Sequence, residues 1–228
     1  MKENAYIILD TETANGLTIN DKLDLSQSLP YNIAWKTVNK KGKVLSVRSY
    51  ASKEIFLDTD LMNSAYYADK IPTYWEQIKN DEMILTDTFT ARRQLFADCE
   101  DFNVKAIIAH NAFFDVRALN NIVRLLTGSK CRFFFPRNVE IWDSLKMSYD
   151  VFTKLKGYTN FCKRNGYMTK HNKPRVKLTA EVLYKYISGD YNFKEEHKAL
   201  EDVNIETEIF LYLLSTHKKM RKNLFKKF

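Results

Sequence analysis

The sequence predicts a mixed α/β sheet domain on three observations. Two short apolar runs, at 5–9 and Val104–Ala109, are rich in β-formers and continuous rather than alternating, as strands buried on both faces are. Residues 31–38 and 43–50 flank Lys40-Lys41-Gly42, a hairpin pattern with Gly42 supplying the turn. Beyond the second apolar run the period lengthens from that of a strand to that of a helix, so strands come first and strand–helix alternation follows.

Each element has its own local reason. The first run starts close to the N-terminus, and the polar stretch 15–29 after it reads as a loop. Residues 61–101 read mainly as helix, broken near Ile71-Pro72, because the residue before a proline is pushed out of the helical region. Val116, Leu119, Val123 and Leu126 recur at helical spacing, and Gly128 ends that helix. Residues 139–142 form a further strand candidate, with Asp143 placed to cap the helix behind it. Leu200, Val203, Thr207, Phe210 and Leu214 trace one face of a last helix. No internal repeat or linker interrupts the pattern, so a single domain over 1–228 is expected, with a basic tail from about residue 217.

Composition narrows the class. The 228 residues are 45% hydrophobic with only six Gly and four Pro, which suits a packed core and excludes collagenous or low-complexity architecture. Cys99, Cys131 and Cys162 are widely spaced and odd in number, supporting neither a disulfide framework nor a thiolate zinc site; a reducing, cytoplasmic setting is expected. The apolar run at 5–9 is too short for a signal-peptide core, and the six residues 209–214 are too short for a membrane span.

The chemistry-bearing residues are carboxylates at strand ends. Asp10 and Glu12 follow the first apolar run, and residues i and i+2 of an extended segment project to the same side. Two carboxylates so placed can share a hard, oxygen-seeking cation such as Mg²⁺ or Mn²⁺. A bare D-x-E is a weak pattern, since Asp98-Cys99-Glu100 repeats it inside a helical stretch where the side chains diverge. Asp115 stands where the strand ending in Ala109-His110 turns into the 116–126 helix; as a helix N-terminal acid it also has a purely structural reading. His197 and Asp202 are about 500° of helical rotation apart, so they converge only if His197 lies in a loop before the helix. His110 and Asp115 share that spacing, which therefore does not choose between the two pairs.

Taken in order, Asp10-x-Glu12, His110-Asn111-x-x-Phe114-Asp115 and His197-x-x-x-x-Asp202 resemble the three motifs of the DnaQ-like, DEDDh-type 3′–5′ exonucleases. Two less specific stretches, Ile141-Trp142-Asp143-Ser144-Leu145 and Tyr158-Thr159-Asn160-Phe161-Cys162, resemble the family's strand-to-helix turn and following helix. The resemblance implies a ribonuclease H-like fold, a five-stranded mixed sheet flanked by helices. It implies that Asp10, Glu12, Asp115 and Asp202 bind two Mg²⁺ or Mn²⁺ ions, Asp115 often through water, with His197 as general base. Asn111 and Phe114 would contact substrate. The position four before the last Asp is Lys198 rather than Tyr, which fits the histidine subtype. The first motif is one residue longer than the common form, making Leu17 the candidate wedge against the terminal bases.

The implied reaction is hydrolysis of the terminal phosphodiester at a single-stranded 3′ end, DNA more than RNA, releasing nucleoside 5′-monophosphates. The alternatives are an RNase T- or oligoribonuclease-like RNA exonuclease, or a non-catalytic polymerase-associated subunit. The presence of all four carboxylates and the histidine argues against the last. Replication or repair proteins are possible partners, although the short chain beyond the last helix disfavours a long tethering extension. The net charge of +8 is unevenly spread. Residues 163–177 and 218–227 each carry six Lys/Arg and no acid; outside them 24 Lys/Arg face 28 acids. Basic side chains alternate with Tyr167 and His171 in the first run, so Lys170, Lys173 and Arg175 are expected to flank the substrate strand.

Overall fold

The computed structural model describes residues 3–14, 26–215 and 220–226, together with the backbone of 18–19 and 22–23. Its strands are β1 (Ala5–Ala14), β2 (Thr18–Ile19), β3 (Lys22–Leu23), β4 (Leu29–Asn39), β5 (Val44–Ser52), β6 (Ile84–Thr86), β7 (Val104–Ala109) and β8 (Glu140–Asp143). The helices are α1 (Lys53–Phe56), α2 (Thr59–Asn63), α3 (Ile71–Lys79), α4 (Thr88–Asp101), α5 (Phe113–Thr127), α6 (Ser144–Phe152), α7 (Lys156–Arg164), α8 (Ala180–Ser188), α9 (Ala199–Leu214) and α10 (Lys222–Phe225). A 3₁₀ turn at Ala68–Lys70 leads into α3, whose first turn holds Pro72. A proline there gives up only an N–H that has no partner in the helix.

The main sheet runs β6-β5-β4-β1-β7-β8, with β4 antiparallel to both neighbours and the other pairings parallel. Five of these strands match the expected set. The sixth, β6, extends the edge beyond the five predicted; at three residues it is too short to break the helical pattern read across 61–101. Part of the expected 15–29 loop instead forms the small β2–β3 ladder. Leu17 lies outside the described residues.

Strand β1 sets the geometry of the site. Its residues alternate between two cores: Tyr6 and Ile8 pack with Val203, Phe210 and Leu213 of α9, while Ile7 and Leu9 pack with Leu95 of α4 and Leu119 and Val123 of α5. This accounts for the unbroken apolar run. By the same alternation Asp10 and Glu12 follow Ile8 toward α9, and Thr11 follows Leu9 toward α5. The pairing with β7 ends at Ile8↔Ile108, whereas the pairing with β4 continues to Ala14. Asp10 and Glu12 therefore emerge where one neighbour has stopped, at the carboxyl end of the parallel strands.

Helix ends follow the sequence chemistry. Gly128 takes a left-handed conformation, φ +64°, at the end of α5. The Asp143 carboxylate caps α6, accepting from the N–H groups of Leu145 (3.0 Å) and Lys146 (3.2 Å). At the basic C-terminal end Phe225 is buried against Trp142, ring centroids 5.3 Å apart, and Arg221 pairs with Asp150 at 2.8 Å. Among the described residues no helix is long and apolar enough to cross a membrane, and the three cysteines are free.

Candidate active site

An open cleft of 480 Å³ lies at the carboxyl ends of β1 and β7, lined by Asp10, Glu12, His110, Asn111, His197 and Asp202 among others. One ligand oxygen from each of Asp10, Glu12 and Asp202 lies within 4.8 Å of the others. A second group, Glu195, His197 and Asp202, meets the same limit, so Asp202 belongs to both. The donors of the first group are all carboxylate oxygens, the chemistry that hard divalent cations select.

Asp115 is brought close but held differently. It sits in the first turn of α5, 2% exposed, and accepts a 2.9 Å hydrogen bond from the Thr11 hydroxyl. It belongs to neither group of converging ligand atoms, which suits contact through an intervening water. Of the other expected residues, Asn111 lines the cleft with φ +67°, and Phe114 is half-buried without lining it. Lys170, Lys173 and Arg175 are exposed on a turn outside the cleft, although Leu178, Thr179 and Ala180 just beyond form part of its wall.

The two histidines that spacing left equivalent are distinguished by their surroundings. His110 is anchored through both ring nitrogens, to the Ser144 hydroxyl (3.0 Å) and the Leu178 carbonyl (2.8 Å). A carbonyl only accepts, so Nε2 carries the proton and the ring is held as a structural donor. His197 lies in the loop before α9, its side chain 41% exposed and its φ +52°. It stacks on Tyr67, with centroids 4.9 Å apart and planes 12° apart. Lys70 Nζ donates to the backbone carbonyls of Glu196 and His197, tying this loop to the 3₁₀ turn. Burial, then the Lys70 charge, lowers the His197 pKa and favours its neutral form.

The carboxylates strain one another. Burial first, then the charges of Asp10 and Asp202, pushes Glu12 up to about 10. Burial, with Asp10 next, pushes Asp202 up to about 9. Asp115 reaches only about 7, because the hydrogen bond from Thr11 favours its charged form against the effect of burial. Asp10 is raised by burial and by Asp115.

Motif reading missed Glu206. It stands one turn after Asp202 on α9, is 5% exposed, lines the same cleft, and has an Oε2 with no hydrogen-bond partner. Burial and then Asp10 raise its pKa strongly. The i, i+4 spacing from Asp202 was visible in the sequence, but a carboxylate on an exposed helix face has the same spacing. Glu195, Tyr67 and Lys70 were also unmarked, because only the folded loop brings them to the site. The other D-x-E is structural: Asp98 is 1% exposed and accepts from Trp35 (2.9 Å), Ser46 (3.0 Å), Gln94 (2.8 Å) and Arg48 (3.3 Å).

No protein-family model and no curated protein matches this sequence. Among solved structures, the chain is similar to a 3′-exonuclease in a structure of 3′-end-specific recognition of the histone mRNA stem-loop. The TM-score is 0.55 at 11% identity, over 95% of this chain and 84% of that one. It is also similar to E. coli Exonuclease I in complex with a dA16 oligonucleotide, with TM-score 0.54 at 12% identity over 97% of this chain. The chain spans 42% of Exonuclease I. Both neighbours are named as exonucleases. At these identities the likeness defines the fold, ribonuclease H-like as in those exonucleases.

Proposed function

We propose that this chain is a metal-dependent 3′–5′ exonuclease that hydrolyses the terminal phosphodiester of single-stranded ends, DNA in preference to RNA, and releases nucleoside 5′-monophosphates. The observation that carries the proposal is the convergence of Asp10, Glu12 and Asp202 within 4.8 Å on a fold shared with exonucleases. The unpartnered, buried Oε2 of Glu206 beside them fits a cluster short of positive charge.

Asp10, Glu12 and Asp202 would hold two Mg²⁺ or Mn²⁺ ions, with Asp115 acting through water. Such ions neutralise the phosphodiester charge and acidify the attacking water. The chain's own residues supply the rest. His197, kept neutral by burial and Lys70, accepts the proton of the attacking water at a free ring nitrogen. Stacking on Tyr67 limits rotation of the imidazole, and Lys70 fixes the backbone that carries it. Thr11 orients Asp115 through its hydroxyl. Asn111 offers an amide to the terminal nucleotide at the cleft's mouth.

Single-stranded DNA, duplex DNA and RNA labelled at the 5′ end, incubated with Mg²⁺, Mn²⁺ or EDTA, test the reading. A 3′-shortening ladder on single-stranded DNA, absent in EDTA and in Asp10→Ala or Asp202→Ala, is expected. Internal cuts, or substantial activity in either variant, would overturn it. Faster shortening of RNA would reassign the substrate.

A further inference from the structure

Apart from the carboxylate cleft, a groove of 800 Å³ lies on the outer side of α5, against the start of β8. Phe113, Arg117, Asn120 and Arg124 line it, at spacings of four, three and four along α5, so one helix face builds one wall. Phe133 and Arg137, from the segment before β8, contribute to the other. Arg117 lies over the ring of Phe113, 5.5 Å to its centroid, and Arg124 over Phe133 at 5.9 Å. Both rings are nearly half exposed, Phe113 at 49% and Phe133 at 45%.

Charge in the groove is one-sided. Its acid, Glu140, is satisfied by Lys226 at 2.8 Å. Among the described residues Arg117, Arg124 and Arg137 have no carboxylate within ion-pair distance, which leaves three exposed guanidinium groups beside two exposed phenyl rings. That combination suits a single-stranded nucleic acid: guanidinium forks bind phosphate oxygens, and ring faces accept bases of any sequence. A protein strand added at the edge of β8 would gain nothing from three unpaired arginines.

The groove also leads to the site. Asn111 lines the carboxylate cleft, and Phe113, two residues on, opens the groove. From Phe113 to Arg124 the helix rises about 16 Å away from the carboxylates. We infer that this arginine–phenylalanine groove holds the body of the substrate strand, 5′ of the nucleotide whose end enters the cleft. The inference rests on the nuclease reading for the direction of the strand, and on the groove alone for its affinity. It places the strand on a different face from the 163–177 run, where charge density along the sequence had pointed.

Fluorescence anisotropy in EDTA reads binding without hydrolysis. The probes are 5′-fluorescein oligo(dT) of about 16 and about 4 nucleotides, titrated across about 50 to 200 mM salt. In the wild type the longer probe binds tighter. Reversing Arg117, Arg124 and Arg137 together (R117E/R124E/R137E) should weaken the longer probe by about tenfold or more, narrow its advantage over the shorter, and flatten the salt slope by about two. A second variant, F113A/F133A, should weaken the longer probe several-fold while leaving the salt slope in place, because stacking releases no counterions. All five side chains are exposed, and far-UV circular dichroism checks that each variant folds. Unchanged affinity and slope in the arginine variant would overturn the inference, as would an equal loss from reversing Lys170, Lys173 and Arg175 with none from the groove. Intact length-dependent binding in a chain that hydrolyses nothing would instead overturn the nuclease reading and leave the groove standing.

Discussion

Removing divalent cations should make this protein lose stability as the pH rises from mildly acidic to neutral. In the cation-free fold Glu12 and Asp202 titrate at about 10 and about 9, whereas in the unfolded chain both titrate near the ordinary carboxylate value of about 4. Between these limits the folded chain retains protons that the unfolded chain has released, so unfolding gains free energy with each step in pH. Each retained proton contributes about 1.4 kcal/mol per pH unit, so Glu12 and Asp202 together contribute at most about 5 kcal/mol over two units. The two groups repel partly through each other, so about 2–3 kcal/mol is the expected loss between about pH 5.5 and about pH 7.5. Both side chains are at least nine-tenths buried, which keeps solvent screening small. Urea unfolding in EDTA at the two pH values measures the loss, and saturating MgCl₂ should restore most of it at the higher pH. A profile that is flat or rises with pH, or a midpoint indifferent to Mg²⁺, would refute the charge cluster as drawn.

Three further outcomes follow from particular contacts. Glu206→Gln replaces, at constant volume, a carboxyl that must take up a proton to be buried, so it should stabilise the chelated protein by about 1–2 kcal/mol at neutral pH and weaken Mn²⁺ binding, read by urea unfolding and calorimetric titration. Asp98→Ala strips the partner from the buried Trp35 indole and three other donors; a loss of about 3–5 kcal/mol is expected, with hydrolysis per folded molecule unchanged. His197→Gln keeps a polar side chain at the cleft but cannot accept the proton as imidazole does. Its kcat should fall by about a hundredfold with little change in KM, and a change confined to KM would make His197 a positioning residue.

Much of the fold was legible because its signals are local. The apolar run before Asp10 and the run Val104–Ala109 marked strands buried on both faces, and Gly128 and Asp143 marked helix ends through backbone chemistry that depends on few neighbours. The i, i+2 spacing of Asp10 and Glu12 also anticipated a shared direction. The edge strand β6 escaped because three residues carry no period.

What the sequence determined by itself was the order of strands and helices and the small set of acids and histidines from which a site could be built. Tertiary structure decided among them. It anchored the His110 ring to Ser144 and Leu178 and left His197 at the cleft, although the two motifs have identical spacing. It turned Asp98 into a core acceptor, added Glu206 to the carboxylates, and gathered arginines from α5 and the segment before β8 into one groove. The physical reason is range: periodicity and capping act across a few residues, whereas charge repulsion, ring stacking and shared burial depend on distances through space that chain crossings alone establish.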